Sequence, residues 1–183
     1  RMLSAARRGA LSMRSLSVRK VERDRSTNSF VVTLRETEQP RRQFEIFVGM
    51  QEGIVLRLLL DGESTPRPLT HDLFVIALER LNVAVRHVVL THVKEGTYFA
   101  ELVLYRTVQE GVAGGDPAQD TVVSCRPSDG LALALRSNAP IYGREDLLEE
   151  VGREVEASQE DSTEILDEFR DFIENINPED FDI

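Results

Sequence analysis

Two strand-length runs, Val83 to Val93 and Thr97 to Arg106, are separated only by Lys94-Glu95-Gly96. A connector that short cannot carry a crossover, so the two runs form a hairpin and lie antiparallel. Leu16 to Val21 and Phe30 to Leu34 repeat the arrangement across the polar turn Asp24 to Ser29, and Phe44 to Val48 adds a third strand that ends at Gly49. Helical spacing of Ile54, Val55, Leu58 and Leu59 marks a helix from Gln51 to Leu60, closed by Asp61-Gly62. A second helix is predicted from His71 to Leu81, with Thr70 as N-cap and Phe74, Ala77, Leu78 and Leu81 as its buried stripe. After a glycine-rich loop from Gln109 to Asp120 come a strand, Thr121 to Cys125, and a helix from Gly130 to Arg136 opened by Pro127-Ser128-Asp129. A short extended piece, Ala139 to Tyr142, and a brief helix, 145–151, follow. Strands in hairpins with interspersed helices predict an α+β fold: a mixed, largely antiparallel sheet packed with helices.

Charge divides the chain into regions. Residues 1–43 hold 11 Lys/Arg against 4 Asp/Glu, whereas residues 144–183 hold 3 against 16. The first 20 residues have six basic side chains, four serines and no acids, a composition similar to a transit peptide, and residues 1–15 are expected to be disordered or processed. Residues 16–152 are expected to form the folded domain, and residues 153–183 an acidic linker and a C-terminal helix from Ser162 to Ile176. The apolar stripe Ile165, Phe169, Phe172 and Ile176 of that helix suits docking on its own sheet or on a second subunit, which makes a homodimer or higher oligomer the expectation.

The same numbers exclude function classes. The longest apolar run, Ile54 to Leu60, is broken by Arg57 and falls far short of the roughly 18 residues a membrane helix needs. With Cys125 as the only cysteine, neither an internal disulfide nor a cysteine-based zinc site can form, and a reducing, cytoplasmic setting is expected. No P-loop, nucleophile elbow, dinucleotide fingerprint or zinc-protease motif occurs. A net charge of −10 makes the chain a poor general trap for phosphate polymers, so activity on DNA or RNA requires a local site, a metal ion or a partner.

Two segments could supply that site. Arg67-Pro68, Thr70-His71-Asp72 and Arg126-Pro127-Ser128-Asp129 both place an arginine, a hydroxyl and an aspartate at a helix start, where free N–H groups favour anions. Arg67 and Arg126 can fork to a phosphate. Asp72, Asp129 and Glu52 have the hard oxygen ligands that magnesium or manganese takes, and His71 can move a proton near neutral pH. Together they could cleave a phosphodiester. Each residue also has a purely structural reading. Aspartates in a first helical turn complement the dipole, arginines pair with them, and His71 or Glu52 can cap a helix. His87 and His92 carry no assigned role, and Cys125 in its apolar strand reads as an inert thiol.

The segments Pro66-Arg67-Pro68-Leu69-Thr70-His71-Asp72-Leu73, Gly96-Thr97-Tyr98-Phe99-Ala100-Glu101-Leu102, Arg126 to Ala134 and Ala139-Pro140-Ile141-Tyr142 resemble, in order, the signature segments of the bifunctional nuclease family. The resemblance spans residues 16–152 and implies DNase and RNase activity on a sandwich of mixed sheet and helices. It also implies a site made of Arg67, His71, Asp72, Arg126 and Asp129, with Glu52 after the Gly49 turn. The chain departs from the family pattern in three places: Ile46-Phe47-Val48-Gly49 replaces Ile-Trp-Ile-Gly, Ser124 stands where many members have an acid, and Gly130 replaces alanine. The alternative function is a non-catalytic module that holds an anion or a partner protein at the same helix ends.

Overall fold

The computed structural model describes residues 12–63, 65–107 and 120–155. The expected N-terminal segment up to residue 11, most of the glycine-rich loop and the C-terminal helix with its apolar stripe lie outside the described residues. The elements run β1 (Met13–Asp24), β2 (Ser29–Glu36), β3 (Arg42–Val48), α1 (Met50–Leu60), α2 (Thr70–Arg80), β4 (Val83–Lys94), β5 (Thr97–Arg106) and β6 (Thr121–Cys125), then α3 (Pro127–Ser137), β7 (Ile141–Arg144), α4 (Glu145–Val151) and β8 (Arg153–Glu154). The chain divides after Arg153 into two units.

The eight strands form one sheet in the order β6-β5-β4-β7-β1-β2-β3-β8. The β4–β7 pair is parallel, while β1–β2, β2–β3, β1–β7, β4–β5 and β5–β6 are antiparallel. This is the mixed, mostly antiparallel α+β arrangement that the hairpin pattern predicts. The β4–β5 connection is tight because Glu95 (φ 52°) and Gly96 (φ 76°) both take left-handed angles, whose twist matches that of the flanking strands. At the β1–β2 turn, Asp24 accepts hydrogen bonds from Ser26 N at 2.8 Å, Ser26 Oγ at 2.6 Å and Thr27 Oγ1 at 2.7 Å. Those bonds hold its carboxyl at about 2.

Strand β1 extends well beyond the apolar run Leu16 to Val21. Its first residues, Met13 to Leu16, pair with Arg144 to Ile141, and its last, to Asp24, pair with Ser29 and its neighbours. Backbone pairing needs no apolar side chain, so a hydrophobic pattern reads such a strand short.

Strands β1-β2-β3 followed by α1, and β4-β5-β6 followed by α3, flank β7 in mirrored order. Helix α3 packs on both α1 and α2, and all three pack on the sheet over a core that includes Val32, Leu34, Leu56, Val88, Leu90 and Leu131. Gly130 permits the close approach of α3: a Cβ there would lie 2.9 Å from Val88 Cγ1 and 3.2 Å from Cys125 Sγ.

Helix α2 corrects the sequence reading twice. Its N-cap is Leu69, and Thr70 is the first helical residue. Of the stripe expected to be buried, Leu78 packs against the core, whereas Phe74 (45% accessible), Ala77 and Leu81 (67%) are exposed; Asp72 is buried and Val75 joins Leu78 against the core. Leu73, Phe74, Ile76 and Ala77 surround much of the helix, so apolar spacing alone did not single out the inward face. Contact with α3 and β4 selected the face carrying Asp72, Val75 and Leu78.

Candidate active site

Three helices begin in the same way. The N-caps of α1, α2 and α3 are Gly49, Leu69 and Arg126, all with extended backbone, and each helix has a carboxylate three residues later: Glu52, Asp72 and Asp129. At that position a carboxylate faces unpaired N–H groups and the positive end of the dipole. Gly49 leaves room for this, since a Cβ there would come within 2.5 Å of Glu52 Oε2.

Two of the three carboxylates meet. The mirrored halves bring the start of α1 beside the start of α3, and Arg126 joins them. Its Nη1 donates to Glu52 Oε1 at 3.0 Å, while Nε and Nη2 donate to Asp129 Oδ2 at 2.7 Å and Oδ1 at 2.9 Å. The forked bond to Asp129 raises the Arg126 guanidinium above its ordinary value. The same bond holds Asp129 below its own, against burial that would raise it. His71 enters from α2, with Nε2 3.6 Å from Asp129 Oδ1, an electrostatic contact longer than a hydrogen bond. Glu52, Arg126, Asp129 and His71 therefore form one continuous polar chain contributed by three helices.

Asp72 and Arg67 are not part of it. The Asp72 carboxylate accepts the Leu69 N–H at 2.8 Å and pairs with Arg136 Nε at 2.6 Å. It lines a separate cleft of about 150 Å³, between Leu58 and Leu59 of α1 and Ile76 of α2. Arg67 is exposed and pairs with no carboxylate among the described residues. Of the two Arg-Pro segments, one gives its arginine and aspartate to the polar chain and the other only its histidine.

Beside Arg126 opens a cleft of about 350 Å³. Its walls are the end of β3 with Phe47, the start of α1 with Glu52, the β4–β5 turn with Thr97 and Tyr98, and the start of α3 with Ser128. The Tyr98 ring stacks on Phe44 with centroids 5.9 Å apart. Phe47 and Tyr98 both lie in segments that resemble the family pattern, but neither was singled out as a site residue. A positional signal also existed for Phe47: Phe44, Ile46 and Val48 point inward along β3, and Phe47 is a large apolar residue in an outward register.

Burial and the nearby Asp129 push the Cys125 thiol up to about 11, consistent with an inert role. Burial lowers His87, which stacks edge-on to Tyr142 at 5.4 Å, away from the polar chain.

A resident divalent metal does not fit the residues as they are placed. Among the described residues no three His, Cys, Asp or Glu side chains converge to hold a metal ion. The guanidinium of Arg126 takes the place of a cation between Glu52 and Asp129.

The bifunctional nuclease domain model matches residues 32–156, which include the β4–β5 hairpin, all three helix starts and the cleft. The chain belongs to the bifunctional nuclease family. Two curated relatives from Mycobacterium tuberculosis, the uncharacterized proteins MT1877 (strain CDC 1551) and Rv1829 (strain H37Rv), are each 32% identical over 160 residues. Those matches cover 84% of this chain and 89% of the relative. Within this bifunctional nuclease domain the polar chain and the cleft adjoin, both organised around Arg126. No helix among the described residues is long and apolar enough to cross a membrane.

Proposed function

We propose that this bifunctional nuclease-family protein hydrolyses phosphodiester bonds in DNA or RNA, with Arg126 as the phosphate clamp and His71 as the proton-moving group. The observation that carries the reading is the placement of Arg126 between Glu52 and Asp129 with His71 beside Asp129.

A guanidinium has five N–H donors, and three of those of Arg126 are used by the two carboxylates. Two remain for a phosphate, on a side chain that is 65% exposed. The carboxylates fix the plane of the fork, so its charge is positioned before substrate arrives and needs no reorganisation as charge builds on the phosphoryl oxygens. Asp129 orients the His71 imidazole; His71 accepts a proton from the attacking water as its oxygen bonds to phosphorus, and the P–O bond to the leaving oxygen breaks, that oxygen taking a proton from solvent. Contacts of this kind are often long without substrate and tighten in the complex, which accommodates the 3.6 Å separation. Glu52 holds the far side of the fork. Asp72 acts as a helix cap, and no step passes through a metal ion.

The test is cleavage of defined DNA and RNA oligonucleotides by wild type, His71→Ala and Arg126→Ala, purified side by side, with and without EDTA. The reading predicts a loss of about 10²- to 10³-fold for each substitution. Full activity in both variants would assign the cleavage to a contaminating enzyme. Binding of the oligonucleotides without cleavage would favour a non-catalytic anion-binding module.

A further inference from the structure

We infer that the cleft beside Arg126 receives one unstacked nucleobase, so that the substrate is a single-stranded nucleic acid, held by stacking on Phe47 and Tyr98 while the adjoining phosphate meets Arg126. The inference rests on the proposed role of Arg126 and adds the class of substrate.

Three observations carry it. First, Arg126 and two aromatic residues, Phe47 and Tyr98, line the same cleft. Its volume of about 350 Å³ sits at the lower end of the roughly 300–1,000 Å³ typical of small-molecule sites, which suits one nucleotide. A base still paired within a duplex cannot reach the wall of such a cleft, and an unpaired base can.

Second, the two rings are presented in complementary ways. Phe47 is 63% exposed at the end of β3, an apolar surface without a role in the core. Tyr98 is half-buried and braced against Phe44, so its ring is fixed before a base arrives. Such platforms accept any base, because every base has a π-face.

Third, charge argues against a duplex. Phosphate polymers are normally gathered by many Lys and Arg contacts, and this chain carries a net charge of −10. With so little long-range attraction, affinity has to come from contacts to the base, which single strands expose.

The experiment is equilibrium binding, by fluorescence anisotropy in EDTA, of a labelled ten-nucleotide single strand, the same strand with abasic sites, and the matching duplex. Wild type is expected to bind the base-bearing single strand about tenfold or more tighter than either of the others. Phe47→Ala should lose about tenfold on the base-bearing strand and nothing on the abasic one, and Phe47→Trp should retain wild-type affinity. Phe47 is exposed, so these substitutions test contact without threatening the fold. Equal binding of base-bearing and abasic strands, preference for the duplex, or no binding at all would each overturn the inference. Selective binding of the single strand without cleavage would leave it standing and remove the hydrolytic reading instead.

Discussion

Arg126 donates to Glu52 across 74 positions of sequence, with Nη1 3.0 Å from Oε1, and thereby fastens the start of α3 to the start of α1. The bond links the two mirrored halves of the domain, and the proposed chemistry depends on it. Because the Arg126 side chain is 65% exposed, its ion pairs contribute little to stability, within about 1 kcal/mol. Arg126→Ala is therefore expected to lower kcat/KM by about 10²- to 10³-fold with an almost unchanged Tm. Arg126→Lys should recover only part of the loss, since an ammonium cannot reproduce the planar fork. Steady-state kinetics beside a thermal melt separates the two effects.

Arg126 stands between the carboxylates it bridges, where a cation would otherwise sit. Removing it leaves Glu52 and Asp129 as adjacent unneutralised oxygen donors, with His71 near Asp129. Arg126→Ala should then bind Mn²⁺ at least about tenfold tighter than wild type, as read by titration calorimetry or by loss of the free-ion electron paramagnetic signal. Wild type binding Mn²⁺ as tightly as the variant would show that the carboxylates rearrange around a metal.

Asp72 separates capping from catalysis. Its carboxylate satisfies the Leu69 N–H and pairs with Arg136, so Asp72→Ala should cost about 1–3 kcal/mol of stability. Activity per folded molecule should not change. Denaturant unfolding together with active-fraction-corrected cleavage rates provides the comparison, and a large drop in kcat with native stability would contradict the assignment.

Glu36 makes the fold acid-sensitive. Its side chain is 0% exposed and accepts from Arg14 Nε at 2.8 Å, from Arg42 N at 2.8 Å and from Arg42 Nε at 3.0 Å. Burial pushes its carboxyl up, but the arginine bonds outweigh burial and bring it from 4.5 down to about 2. A depressed carboxylate stabilises the fold above its unfolded value, and that contribution is lost as pH falls through the folded one. Glu36 should thus contribute about 3 kcal/mol at neutral pH, diminishing between about pH 4.5 and 2. Glu36→Gln should lose this portion of the pH dependence and be about 3–5 kcal/mol less stable at pH 7, because Arg14 and Arg42 lose their buried partner. Urea denaturation at a series of pH values measures both.

The sequence by itself determined the antiparallel character of the sheet, since the short connectors at Asp24 to Ser29 and Lys94 to Gly96 permit nothing else. It also determined that Arg126, Asp129, His71 and Glu52 stand at helix starts, because caps and first-turn residues are set by local chemistry. Which of these starts meet was decided only in three dimensions. Asp72 and Asp129 sit in near-identical local settings, yet Asp129 joins Arg126 and Glu52 while Asp72 turns to Arg136. The inward face of α2 was likewise selected by packing on α3 and β4, which no periodicity within the helix encodes. Local propensity reaches about one helical turn along the chain, whereas the pairing of α1 with α3 depends on the order of strands in the sheet.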